Sequence, residues 1–147
     1  MNNKGFTLIE IIAVVALLAI IIIITVPMIG NSGENVKKKT LQTKIDNIES
    51  AAVLYGQDNR GDFTSSCSLC TGITNCSCFK DEIDVETLIS DGRLKEDEIR
   101  DGNKVIVNPL DETKTLNDCE IQIYQKYGKI YAVYEKTESN KNTCWVE

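Results

Sequence analysis

The sequence predicts an α+β fold, in which an N-terminal helical stretch packs its second half on a small antiparallel sheet of three to four strands. The first half of that stretch is long and apolar enough to be transmembrane. Three observations predict this. Ile11 to Met28 carries no charged residue. Leu41, Ile45, Ile48, Ala52 and Tyr55 follow one another at spacings of four, three, four and three, one stripe of a helix suited to packing on a sheet. Near the other end, Glu120 to Tyr127 alternates, with Ile121, Ile123 and Tyr127 on one face, and Ile130 to Tyr134 returns after a glycine turn.

The apolar run comes first. From Phe6 to Ile29 the chain can cross a bilayer as helix, since about 20 residues at ~1.5 Å rise span ~30 Å. Glu10 stands at its lip, where a carboxylate costs about 2.5–3.5 kcal/mol on insertion scales and is by default a functional residue. A secretory signal has a shorter apolar stretch, roughly 7–15 residues, and a small-residue cleavage site after it. This run is longer and no A-x-A pattern follows. A plain membrane anchor accounts for everything except Glu10.

Gly5-Phe6-Thr7-Leu8-Ile9-Glu10 resembles the processing site of type IV prepilins and the related pseudopilins. The resemblance implies a membrane-embedded aspartate peptidase that cuts between Gly5 and Phe6 and then N-methylates Phe6. It also implies a pilin-like fold, one long N-terminal helix whose first half builds a filament core and whose second half backs a globular head. Residues 1–5 are then a leader, 6–29 the transmembrane and filament-core helix, 30–57 its amphipathic continuation, and 58–147 the head. Pro27 stands where many pilins have a helix-bending proline, and Gly30 beyond it loosens the same segment.

The motif has a physical logic. Gly5 has no side chain, so a protease can approach the scissile bond closely. Cleavage leaves an ammonium on Phe6 in or near lipid, and an opposite charge close by offsets the cost of burying either. By resemblance, Glu10 pairs with the terminal amine of its own or a neighbouring subunit and sets register during assembly. The competing role is an acid that snorkels to the headgroups. Lys4 marks a cytoplasmic N-terminus, whereas Lys37-Lys38-Lys39 beyond the run favours the opposite topology on charge alone. The processing motif decides for the first.

Composition narrows the function. The 147 residues carry a formal charge of −6, which argues against a broad nucleic-acid-binding face, and no direct nucleic-acid site is expected. The lysine triplet reads as a solvated helix face. There is no histidine, so histidine-based dyads, triads and metal sites are all excluded. Gly30 and Gly33 lack the preceding strand and following GK[ST] of a phosphate loop. The expectation is a protein that is not an enzyme.

Within the head, Gly56 to Gly61 is a turn-rich exit from the helix, followed by a cysteine-rich loop at 67–78. Asp84 can cap a short helix through Val85–Ile89, with Gly92 as its stop. Leu88 to Leu94 and Asn108-Pro109 resemble the approach to the head-domain sheet of many pilins and pseudopilins. Lys104 to Val107 is a short strand. The hairpin spans 120–135, with Gly128-Lys129 read as a type II′ turn, and Cys144-Trp145-Val146 is a candidate extra edge.

The six cysteines, Cys67, Cys70, Cys76, Cys78, Cys119 and Cys144, are an even set that points to disulfides in an exported domain of this size. Cys119 and Cys144 flank the last hairpin, and their pairing would tie the C-terminal tail to the sheet. Many pilins carry such a disulfide-bounded loop. The other four pair within their own loop in an order not readable from sequence, crossing pairs being favoured over a Cys67–Cys70 bridge. Zinc at this cluster is the minority alternative, since Cys67-x-x-Cys70 is a good half-site while Cys76-x-Cys78 is tight. A Cys-x-x-Cys redox motif ranks third. No other cofactor or metal is expected.

The resemblance implies a structural subunit of a type IV pilus or pilus-like filament, serving adhesion, motility or DNA uptake. Its partners are copies of itself, the prepilin peptidase, the pilus assembly machinery and, before assembly, the membrane. The precursor sits in the inner or cytoplasmic membrane and the product on the cell surface. The alternatives are a pseudopilin or minor pilin of a type II secretion or competence machine and, ranked lower, a membrane-anchored binding domain that never polymerises.

Overall fold

The computed structural model describes residues 8–29, 32–64, 67–136 and 143–145. The chain divides into two compact units, one reaching to Lys37 and the other beginning at Lys38.

The first unit is built on helix α1, Leu8–Ile29, whose one charged residue is Glu10 in the first turn. Its 22 residues correspond to about 33 Å of helix. Among the described residues no helix is long and apolar enough to cross a membrane; the described side chains of α1 stop at residue 19. Helix α2, Ser32–Asp58, begins in this unit and continues into the next.

In the second unit α2 supplies one side of the core. Leu41, Ile45, Ile48 and Ala52 are buried, as their spacing requires, and Ala51 joins them; Tyr55 is half-buried against the same cluster. Burying a side chain such as Ile48 is worth about 1.5–3 kcal/mol. The helix runs through Gly56 to Asp58 before a 3-10 turn at Arg60–Asp62, so Gly56 does not end it. A Cβ at Gly56 would stand 2.8 Å from Ile123 Cγ2 and 3.2 Å from Ile130 Cγ2. The glycine is there to let helix and sheet approach.

The sheet is larger than three or four strands. Beyond α2 come β1 (Phe63–Thr64), β2 (Cys76–Phe79), β3 (Ile83–Asp84), helix α3 (Val85–Ser90), β4 (Glu98–Arg100), β5 (Asn103–Val105), β6 (Glu120–Lys126) and β7 (Lys129–Tyr134). Five strands form one antiparallel sheet in which β6 is central. It pairs with β7 along one edge and with β2 and β3 on the other, and β1 extends β2. β4 and β5 form a separate two-stranded ribbon. The additional strands are two to four residues long, too short for a period of two to show, and long-range pairing with β6 creates most of them.

The β6–β7 hairpin departs from the expected turn by one residue. Lys126 pairs with Lys129, leaving Tyr127 and Gly128 as the turn, both with positive φ of 50° and 78°. That is the type I′ arrangement, and the Tyr127 N–H donates to the Asn75 carbonyl at 3.0 Å. Tyr127 is therefore exposed at the tip and does not share the buried face of Ile121 and Ile123.

Capping follows the sequence reading at α3. Asp84 Oδ1 accepts from the Thr87 N–H at 2.8 Å, and Gly92, with φ of 74°, closes the other end. Cys144 is buried, and half-buried Trp145 packs on the core. Two buried asparagines satisfy backbone that the sheet leaves open. Asn117 accepts from Ile106 N and donates to Lys104 O; Asn108 accepts from Leu110 N and donates to Thr143 O at 2.8 Å.

Candidate functional site

Helix α1 presents an unusual surface. Every side chain described in it, residues 8 to 19, is exposed, among them Leu8, Ile9, Ile11, Ile12, Val14, Val15, Leu17 and Leu18. Apolar side chains thus face outward all round the helix, and a contiguous apolar surface on this scale marks a site of contact with lipid or protein. Glu10 is exposed in the first turn of this helix, where a carboxylate also complements the positive end of the helix dipole. The arrangement offers one acid on an otherwise apolar rod. It can associate with an equally apolar environment and use the acid to select a cation within it. Gly5 and Phe6 lie outside the described residues, as does Gly30. Pro27 lies within α1, whose backbone stays helical to Ile29.

The cysteines form three bridges. Cys119 is bonded to Cys144, Cys67 to Cys78, and Cys70 to Cys76. The two loop bridges are nested, an order the sequence left open, and neither joins Cys67 to Cys70. A 3-10 turn at Ser68–Cys70 folds Cys70 back towards Cys67, while Cys76 and Cys78 lie on the same face of β2. That turn reverses the chain, so the inner cysteines meet each other and the outer ones meet across them. The Cys119–Cys144 bridge is wholly inside the core, with both sulfurs' residues nearly inaccessible.

Three contacts that sequence reasoning missed hold the head together. Lys44 of α2 reaches Asp97 and donates to the Val107 carbonyl at 2.7 Å, while Asp97 accepts from the Val107 N–H at 2.8 Å. Glu49 of α2 accepts from the Tyr134 N–H at 3.0 Å, so a helix carboxylate satisfies the end of β7. The Tyr134 hydroxyl donates to the Cys144 carbonyl at 3.1 Å, and burial pushes its phenol well above the ordinary range. Beside it, desolvation and then neighbouring Glu120 hold the Glu135 carboxyl above its ordinary value. Polar residues on the exposed side of the α2 stripe carried the only available signal for Lys44 and Glu49, at positions one before Ile45 and one after Ile48.

Comparison with known proteins bears first on the N-terminal segment. Residues 1–26 match the family model of the prokaryotic N-terminal methylation motif. Over 61 residues the chain is 33% identical to the ComG operon protein 3 homolog of Bacillus licheniformis. The match covers 42% of this chain and 63% of that protein, less than two thirds of the relative's length. No solved structure matches the chain. The chain carries the prepilin-type N-terminal motif on which its resemblance to type IV pilins and pseudopilins rests.

Proposed function

We propose that this chain is a filament-forming subunit of the pilin and pseudopilin kind, cleaved between Gly5 and Phe6, methylated at Phe6 and polymerised through its N-terminal helix. The observation that carries the reading is the outward-facing apolar surface of α1 with Glu10 alone in its first turn. Lipid covers such a surface in the membrane-held precursor, and the same helix from other copies covers it in a filament. The uncharged run from Ile11 to Met28 in the sequence supports lodging of the helix in the bilayer beforehand. Glu10 then serves as the partner of the Phe6 ammonium exposed by cleavage, a pair that strengthens as water is excluded. No bond-making step belongs to the chain; its work is self-association and display of the head.

Of the two settings open to such a subunit, similarity to a ComG operon protein favours a pseudopilus of a competence or secretion machine over a long adhesive or motility pilus. Glu10→Leu tests the reading directly. The variant is expected to be processed normally and to stay membrane-bound, as N-terminal mass spectrometry and fractionation would show, yet to yield at least tenfold fewer sheared filaments. Wild-type filament yield would remove Glu10 from assembly. Gly5→Ala is expected to retain residues 1–5, and normal leader removal in that variant would refute the cleavage site.

A further inference from the structure

The cysteine loop holds more than two separate cross-links. The Sγ atoms of Cys67, Cys70 and Cys78 all lie within 4.8 Å of one another, and Cys70 Sγ stands 3.5 Å from Cys78 Sγ, to which it is not bonded. Cys76 stands outside this group of three, but its bond to Cys70 keeps a fourth sulfur next to it. In a tetrahedral zinc centre the Zn–S distance of about 2.3 Å places sulfurs about 3.8 Å apart. The unbonded pair is already at that spacing. Opening each bridge needs its sulfurs to separate only from about 2 Å to about 3.8 Å.

The surrounding backbone suits this exchange. Cys67 and Cys70 sit on one tight turn, with the Cys70 N–H donating to Cys67 O at 3.2 Å and the Ile73 N–H to Cys70 O at 3.0 Å. That is a compact C-x-x-C half-site. Cys76-x-Cys78 is tight in a loop, but here it lies on an extended strand, which puts both side chains on one face. β2 is held from outside the loop by its register with β6, Cys76 opposite Lys126 and Cys78 opposite Tyr124. Two of the ligand positions are therefore fixed by the sheet and do not depend on the bridges. Cys70 and Cys78 are buried while Cys67 and Cys76 are half-buried, so the cluster is reachable from one side.

We propose that the reduced loop is a tetrathiolate site for Zn2+ or a comparably soft divalent cation, formed by Cys67, Cys70, Cys76 and Cys78. The head then has two closed states, bridged when oxidised and metal-bound when reduced. Each bridge accepts two electrons and two protons from a dithiol reductant, which closes to its own disulfide, and four thiols result. Zn2+ displaces the four thiol protons and leaves a centre of net charge −2. The inference stands independently of the filament reading.

The test uses the full chain in detergent carrying Cys119→Ser and Cys144→Ser, reduced with a dithiol, freed of reductant without air and titrated with Co2+. Saturation at one ion per chain, with the d–d and charge-transfer absorption of a tetrahedral tetrathiolate bleached by Zn2+, is the expected result. Absence of that absorption, or its persistence after all four loop cysteines are changed to serine, would overturn the site. A second readout covers loss of fold in the variants. In the reduced wild-type chain, Zn2+ is expected to slow alkylation of the four loop cysteines at least tenfold by peptide mass spectrometry, leaving Cys119 and Cys144 unaffected. Equal rates with and without Zn2+ would also overturn it.

Discussion

Single residues of the head already show two distinct ways of setting its stability. At Gly56 the constraint is steric, because any Cβ meets Ile123 Cγ2 at 2.8 Å in the interior of the α2–sheet contact. Gly56→Val is expected to destabilise the head by about 1–3 kcal/mol through overpacking, read as a lower Tm. At Asp111 the constraint is electrostatic. The Thr113 hydroxyl and then its backbone N–H, donating to Oδ1 at 2.6 and 3.1 Å, hold the carboxyl below its ordinary value of 3.8. A carboxyl lowered by folding contributes stability that is complete above the ordinary value and is lost as pH falls through the folded one. Thr113→Ala is expected to move the Asp111 titration back towards 3.8, as carboxyl-carbon NMR would follow.

Among the elements, the β6–β7 hairpin gives the sharpest case of tertiary structure overruling local pattern. Gly128-Lys129 is a reasonable two-residue turn from sequence, yet the strands close one residue earlier, around Tyr127-Gly128. A turn at Gly128-Lys129 would shift the pairing by two residues and keep Ile121 and Ile123 on the same face, so alternation along the strands does not choose between the two. The observed register sets Ile121 opposite Tyr134 and Ile123 opposite Ala132. Tyr127 then adopts a positive φ that only glycine and asparagine tolerate well. Tyr127→Asn, which creates an Asn-Gly type I′ turn, is expected to stabilise the head by up to about 1 kcal/mol, measured as a rise in the denaturant midpoint. The α2 stripe and the Asp84 cap were readable because each rests on contacts three or four residues apart. β1, β2 and β3 were not, because each is only two to four residues long and β2 and β3 take shape by pairing with the distant β6.

For the whole molecule, the two units face opposite problems. The second closes a core and pins its last segment by the Cys119–Cys144 bridge, the Tyr134 hydroxyl and Asn108. With a sequence separation of 25, that bridge is worth about 3–4 kcal/mol in the chain-entropy model. Changing both cysteines to serine is expected to lower stability by about that much in a denaturant titration. The first unit buries none of its described α1 side chains, and in the proposed function lipid or other copies of the chain cover that apolar surface. Glu10→Leu reports on that covering while leaving the head untouched.

What the sequence determined by itself is the N-terminal motif, where Gly5, Phe6, Glu10 and most of the uncharged run are read in linear order and residues 1–26 match the methylation motif. A peptidase and a bilayer both read a chain locally, so position along it suffices. Tertiary structure alone decided the five-stranded sheet, the hairpin register, the nesting of Cys67–Cys78 over Cys70–Cys76, and the meeting of the Cys67, Cys70 and Cys78 sulfurs. Each depends on which distant segments pair, and that is set by packing of the whole core, which no local spacing records.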